Sequence, residues 1–335
     1  MASAPSSPLT PPGSGTQPRS TRAARRGRAV RWAVLGVVVA LLVVGVSWSL
    51  AGQWGAVRHD LGRFPVVSVV VAGALSVAAG TAYLPAWRCA QASLGAHLPL
   101  RPSIRVFYVG QLGKYLPGSV WPVLAQMELA RSQGLPRAQI AVGALLQLAL
   151  SVLVFAIFGL LSLPFGASLP GAELAGVILA VVIGLAAVSP PVLSRGLRIG
   201  LRLLRRPPLR QEVRGQAVLA SAGWSCLAAL AVAAQGAVLA HGLGAGASTS
   251  VLVGGALLMA TAVGILVLPV PAGAGVREGA LVLLLHARLG LAEATAIALL
   301  SRLLLTGADG LLAAVGGLIG FGPASDRDLP PAKPM

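Results

Sequence analysis
Long apolar windows with almost no charge, separated by short Arg-bearing linkers, run through most of this chain. They fall at roughly 32–50, 66–86, 138–163, 171–189, 216–240, 251–268 and 292–320. A helix rises about 1.5 Å per residue, so about 20 apolar residues cross a hydrocarbon core of about 30 Å. A membrane β-barrel would instead show short segments of alternating polarity. The pattern predicts an all-α, polytopic integral membrane bundle with about seven spanning helices.

Two segments, 103–126 and 269–290, interrupt the pattern with Pro, Gly and charge. They anchor an internal repeat. The first copy reads GKYLPGSVWPVLAQMELARSQGLPRAQIAVGALLQLAL and the second LVLPVPAGAGVREGALVLLLHARLGLAEATAIALLSRLLL. Each runs through Leu-Pro, a small-residue turn, a short helix, a Gly-Leu turn (Gly134-Leu135, Gly290-Leu291) and a long span. Each also follows a span expected to run from outside to inside. The repeats are therefore expected to be parallel, each with a re-entrant hairpin, and internal repeats of this kind place transporter sites at their interface. The expected organisation is a basic disordered tail over 1–30, one transmembrane domain over 31–321, and a short disordered tail over 322–335. Within the domain, repeat one covers 31–163, a linker helix and Arg-rich loop 171–215, and repeat two 216–320.

Charge orients this picture. The chain carries +17 overall, with 26 Lys and Arg against 9 Asp and Glu. The basic residues gather in linkers, as they do in cytoplasmic loops facing anionic headgroups, so nucleic acid is not an expected partner. One linker holds Arg195, Arg198, Arg202, Arg205, Arg206, Arg210 and Arg214; another holds Arg88, Arg101, Arg105, Lys114, Arg131 and Arg137. This asymmetry predicts a cytoplasmic N-terminus and both broken segments on the cytoplasmic side; seven spans then leave the C-terminal tail outside, and a broken segment that crosses would flip it. The 19 apolar residues from Trp32 are long for a signal peptide, so they read as an uncleaved first helix. Cys89 and Cys226 lack the spacing of a disulfide framework or a metal site. No cofactor is expected, and no phosphate loop, dinucleotide fingerprint or nucleophile motif is present.

Candidate chemistry gathers at the breaks. Backbone that leaves a helix at membrane depth survives only when packed in protein or lining a wet cavity. Pro269 and Pro271 stop one helix, Gly273 and Gly275 permit a tight turn, and a new helix starts near Val276. A helix N-terminus favours an anion, and Arg277 adds a full positive charge there. Glu278 is either a partner for the helix dipole or a counter-ion for a buried Arg. The first break has matching parts in Lys114, Pro117, Gly118 and, on the short helix beyond, Arg131. Arg302 and Asp309, seven residues apart, share one face of the last span, about 10 Å apart. Ionisable groups at that depth face a bundle interior or a polar path; the structural alternative is an ion pair with Glu278 or Glu293. Gln147 and Gln235 read as interhelical hydrogen-bonding groups, and Gly316 with Gly320 as a close-packing pair.

The segments LPVPAGAGVREGAL and GKYLPGSVWPVLAQMELAR resemble the two turns of the lysylphosphatidylglycerol synthase transmembrane region, also called the flippase-like domain family. Arg302 is similar to that family's Arg in the following span, and Ala272 departs from the usual Gly. The resemblance covers roughly residues 30 to 320. It implies a multi-pass fold with re-entrant helices that handles lipids. In full synthases this region flips aminoacylated phosphatidylglycerol, and a soluble C-terminal domain performs aminoacyl transfer. The short tail here leaves no room for that domain, so an enzyme is not expected. Stand-alone members are similar to flippases for lipid-linked cargo, including polyprenyl-phosphate sugars.

The expected function is a lipid flippase or transporter moving an anionic or polyprenyl-phosphate-linked headgroup, with membrane lipids as partners. The alternative is a non-transporting partner or scaffold of an envelope glycosyltransferase or lipid-modifying enzyme, docked through 190–215. A metal-dependent transferase ranks below both, because the acidic residues are scattered.

Overall fold
The computed structural model describes residues 59, 62–116, 120–132, 137–166, 170–203, 213–266 and 273–319. The expected first span at 32–50 and both expected terminal tails lie outside the described residues. The elements are α1 (Val66–Ser93), α2 (Leu100–Gln111), a 3-10 turn (Leu112–Tyr115), α3 (Trp121–Ser132), α4 (Arg137–Gly166), α5 (Gly171–Val188), α6 (Pro190–Leu203), α7 (Gly215–Gly242), α8 (Ala247–Leu266), α9 (Val276–Leu289) and α10 (Leu291–Ile319). No strand occurs among the described residues. Six helices, α1, α4, α5, α7, α8 and α10, are long and apolar enough to cross a membrane. They match six of the seven expected spans. Several prolines sit at helix starts, where a missing N–H costs nothing: Pro65, Pro99 and Pro170 precede α1, α2 and α5, and Pro190 opens α6.

Helices with little polar surface pack in lipid through small residues and side-chain hydrogen bonds rather than through burial of apolar area. The α1–α7 pair shows this. Arg214 N–H donates to Ser93 O at 2.9 Å at one end, and Gly242 abuts Pro65 and Ser68 at the other. Between them, Ser221 Oγ donates to Ala86 O at 2.8 Å and Gln235 Nε2 to Ser76 Oγ at 2.8 Å. These contacts make α1 and α7 antiparallel. The end holding Arg214, the start of α2 and helix α6 is rich in arginine and is called the basic end below.

The short helices form two hairpins, and the hairpins enter from opposite ends. In the first, Gly110 lies against Gln126 and Gly113 against Trp121 and Pro122, so α2 and α3 run antiparallel from the basic end. In the second, Gly264 lies against Gly273 and Arg277, so α8 and α9 run antiparallel from the other end. Gly290, at φ 80°, then turns the chain from α9 into α10 in one residue. Helix α10 runs parallel to α1: Arg63 pairs with Glu293 at 3.1 Å, Gly73 faces Leu304, and Gly80 faces Leu312.

Two expectations are thereby corrected. The units α1–hairpin–α4 and α7–hairpin–α10 run in opposite senses, so the repeats are inverted, not parallel. The broken segments enter from opposite ends rather than from one. The end of α10, left open by whether a broken segment crosses, is the basic end. The parity went wrong at α2. The chain turns back at Gly95, so the arm that enters the first break is α2 and not the span 66–86. With Arg101 and Arg105 in its first turns, α2 hid inside a segment too polar to count as a helix arm. Its counterpart is α8, which is long and apolar enough to be counted as a span.

The packed centre lies between α1, α4, α7, α8, α9 and α10, with Trp87, Phe107 and Ile140 filling the first half. Helix α5 buries none of its residues and packs on α4 where Gly184 meets Ile157.

Candidate functional site
A cavity of about 260 Å³ lies between the two hairpins, lined by α1, α2, the 3-10 turn, α3 and α4 on one side and α7, α8, α9 and α10 on the other. Its charged lining is Lys114, Arg277, Arg302 and Asp309. Residues from both breaks therefore meet in one space, although each break enters from a different end.

The second hairpin reaches the cavity because glycine lets its arms touch. Gly273 has φ 64°, and a Cβ there would fall 2.8 Å from the Gly264 Cα. Gly275 has φ 79° and caps α9. Its N–H donates to Glu278 Oε2 at 2.7 Å. The other carboxylate oxygen of Glu278 accepts from Arg302 Nη1 at 2.6 Å and lies 3.8 Å from Arg277 Nη1. Glu278 thus fills both offered roles at once, as partner of the helix end and counter-ion of two arginines. The α9 N-terminus is closed by its own side chain before any ligand arrives.

Arg277 is buried. Its Nε donates to Thr261 Oγ1 at 3.2 Å and its Nη2 to Ser301 Oγ at 3.3 Å, which ties α9 to α8 and α10. A buried cation with neutral hydroxyl partners and a shared carboxylate is held in place without being fully neutralised.

The first hairpin delivers Lys114 at the end of its 3-10 turn. Lys114 Nζ lies 2.6 Å from Asp309 Oδ2, and Tyr115 OH donates to the same oxygen at 2.6 Å. Arg302 therefore pairs with Glu278 and Asp309 with Lys114, while Glu293 pairs with Arg63 at the far end of α10.

Not every candidate converges. Arg131 is 64% exposed on α3, pairs with Glu128 at 3.7 Å, and does not line the cavity. Pro117, Gly118, Pro269 and Pro271 lie outside the described residues. Gln235 bridges helices as expected, but Gln147 donates to Ser151 Oγ in its own helix at 2.8 Å and faces the cavity. Sequence reading passed over Tyr115, Thr261 and Ser301. Their signal was adjacency: Tyr115 follows Lys114 and Ser301 precedes Arg302, whereas nothing local marks Thr261. Gly316 packs against Ile104 and Tyr108, as a close-packing residue should. Among the described residues no group of three or more His, Cys, Asp or Glu is placed to hold a metal ion.

A sequence profile for the lysylphosphatidylglycerol synthase transmembrane region matches residues 33–312. The chain belongs to that family. The match takes in both hairpins and every charged residue of the cavity. No curated protein and no solved structure matches the chain. As a member of the lysylphosphatidylglycerol synthase transmembrane family, it is a multi-pass membrane protein with a lipid-related function.

Proposed function
We propose that the chain is a lipid flippase or transporter that takes the anionic headgroup of a membrane lipid, phosphate first, into the cavity between its hairpins. The observation that carries this reading is the convergence of Lys114, Arg277 and Arg302 on one cavity at two backbone breaks entering from opposite ends. Three cations face two carboxylates there, Glu278 and Asp309, which leaves one positive charge in excess. A low-dielectric surrounding strengthens that charge for an incoming phosphate.

The inverted hairpins supply a route. Inverted repeats support alternating access, in which one half rocks against the other around a fixed site. In this reading the basic end is cytoplasmic and both hairpins re-enter the cytoplasmic membrane from their own sides. Each is latched to α10, the first by Lys114 and Tyr115 on Asp309, the second by Glu278 on Arg302. A phosphate entering the cavity competes with Asp309 for Lys114 and with Glu278 for Arg302. Binding therefore loosens the contacts that hold the hairpins shut. Acyl or prenyl tails stay in the bilayer.

The test is reconstitution in vesicles with fluorescent phospholipids and a polyprenyl-phosphate sugar analogue, reading dithionite-accessible and enzyme-accessible fractions. The expected result is translocation that the Arg277→Ala variant loses while still folded. Absence of movement for every lipid, with the wild-type protein folded, overturns the transport reading in favour of a membrane scaffold.

A further inference from the structure
Helix α6 takes no part in the cavity. It follows α5 after the single residue Ser189 and leads toward α7, at the basic end. Its 14 residues extend about 21 Å, too short to cross a bilayer. It is fastened near its start, where Pro190 approaches Gly215 and Leu193 packs against a small cluster that includes Leu150 and Val218.

Helical spacing divides α6 into three faces. At 100° per residue, Arg195, Arg198 and Arg202 fall within an arc of about 60°. All three are exposed, and none has a carboxylate partner among the described residues. Val192, Ile199 and Leu203 form a neighbouring stripe and are also exposed, Leu203 by 79%. Leu193 and Leu197 lie on the remaining face, toward the bundle. A helix in water has no reason to expose an aliphatic stripe beside an arginine stripe. A helix lying in a membrane interface has one: the aliphatic side chains enter the acyl boundary and the arginines stay at headgroup level.

We infer that α6 is an interfacial helix that binds anionic phospholipid at the basic end, through Arg195, Arg198 and Arg202 over a Val192–Ile199–Leu203 stripe. The occupant is the bilayer surface itself, because the flanking helices α5 and α7 are long and apolar enough to span it and place α6 at their shared end. Charge complementarity selects anionic over zwitterionic headgroups. This inference is independent of transport, since none of these residues lines the cavity.

The full-length protein is reconstituted in phosphatidylcholine vesicles, and electron spin resonance compares its association with spin-labelled phosphatidylglycerol and spin-labelled phosphatidylcholine. Wild type is expected to prefer phosphatidylglycerol, with the preference shrinking at high salt. Replacing Arg195, Arg198 and Arg202 together by Gln removes about fivefold of site affinity per arginine. Averaged over the whole lipid shell, this reads as a measurable fall in selectivity. An Ile199→Ser, Leu203→Ser variant, with charge unchanged, is also expected to lose selectivity. The control is Arg101→Gln with Arg131→Gln, at the same end but off α6, which is expected to keep it. Unchanged selectivity in the triple variant, or an equal loss in the control, overturns the inference. So does an acidic membrane protein that co-purifies with wild type and not with the triple variant, if lipid selectivity is unchanged.

Discussion

Lys114 Nζ lies 2.6 Å from Asp309 Oδ2 and so joins the break of the first hairpin to the last helix of the chain. The same carboxylate oxygen takes the Tyr115 hydroxyl. One acid thus holds the tip of a whole hairpin, and it occupies the amine that a phosphate would need.

Removing that competitor should tighten ligand binding. Asp309→Asn keeps an acceptor for Tyr115 but cancels the charge that engages Lys114. A charge-assisted contact is worth about 1.5–3 kcal/mol, so affinity for a short-chain phosphatidylglycerol should rise roughly tenfold or more. Lys114→Met should lower it. Isothermal calorimetry on purified protein reads both, and equal affinities across the three proteins would refute the competition.

Arg277 differs from Arg302 in how it is held. It is buried with two hydroxyl partners on two other helices, whereas Arg302 leans on one carboxylate. Arg277→Ala should therefore cost stability as well as translocation, about 3 kcal/mol, by breaking a buried network. Arg277→Lys should restore much of the charge but not both hydroxyl bonds, giving a Tm between the two. A Tm for Arg277→Ala equal to wild type would show that the network does not hold the hairpin.

Gly273 and Gly275 share a positive φ but differ in surroundings. A Cβ at Gly273 meets the Gly264 backbone at 2.8 Å, while one at Gly275 meets nothing within 4 Å. Gly275→Ala should cost only the conformational penalty, about 1–3 kcal/mol. Gly273→Ala should cost visibly more, because the hairpin arms must also move apart. Thermal denaturation of the two variants orders them; a reversed order would mean that the arms do not close on each other.

The inverted arrangement has a direct topological consequence. In a background with Cys89 and Cys226 replaced by Ser, Arg131→Cys at the end of α3 and Gly290→Cys after α9 should react with an impermeant maleimide from opposite faces of the membrane. Labelling from one face would restore the parallel arrangement. Independently, a Gly73→Cys, Leu304→Cys pair should cross-link, because α1 and α10 lie side by side in the same direction.

Much of this was legible in the residues alone. Six apolar windows became helices close to where the pattern placed them, since transfer of a 20-residue apolar segment into lipid is decided by that segment's own composition. The two breaks were legible for the same kind of reason. Pro and Gly act on their own backbone, and a cation beside them is visible without any neighbour. The short-helix, Gly-Leu, long-helix order of each repeat is likewise local.

Direction and pairing were decided elsewhere. Whether α2 is an arm or a linker sets the sense of every later helix, and its arginines made it look like a linker. Only packing of Gly110 on Gln126 and of Gly316 on Tyr108 shows it as a helix folded into the bundle. Glu278 was open to several partners and took the Gly275 N–H, Arg302 and Arg277 together, while Asp309 took Lys114 from the other half. Arg131, alike in charge and close to the same break, was carried out to the surface along α3. Composition tells a segment to enter the membrane. It says nothing about which helix will lie beside it, because lipid is as apolar as the helices, and small-residue contacts and hydrogen bonds between distant segments make that choice.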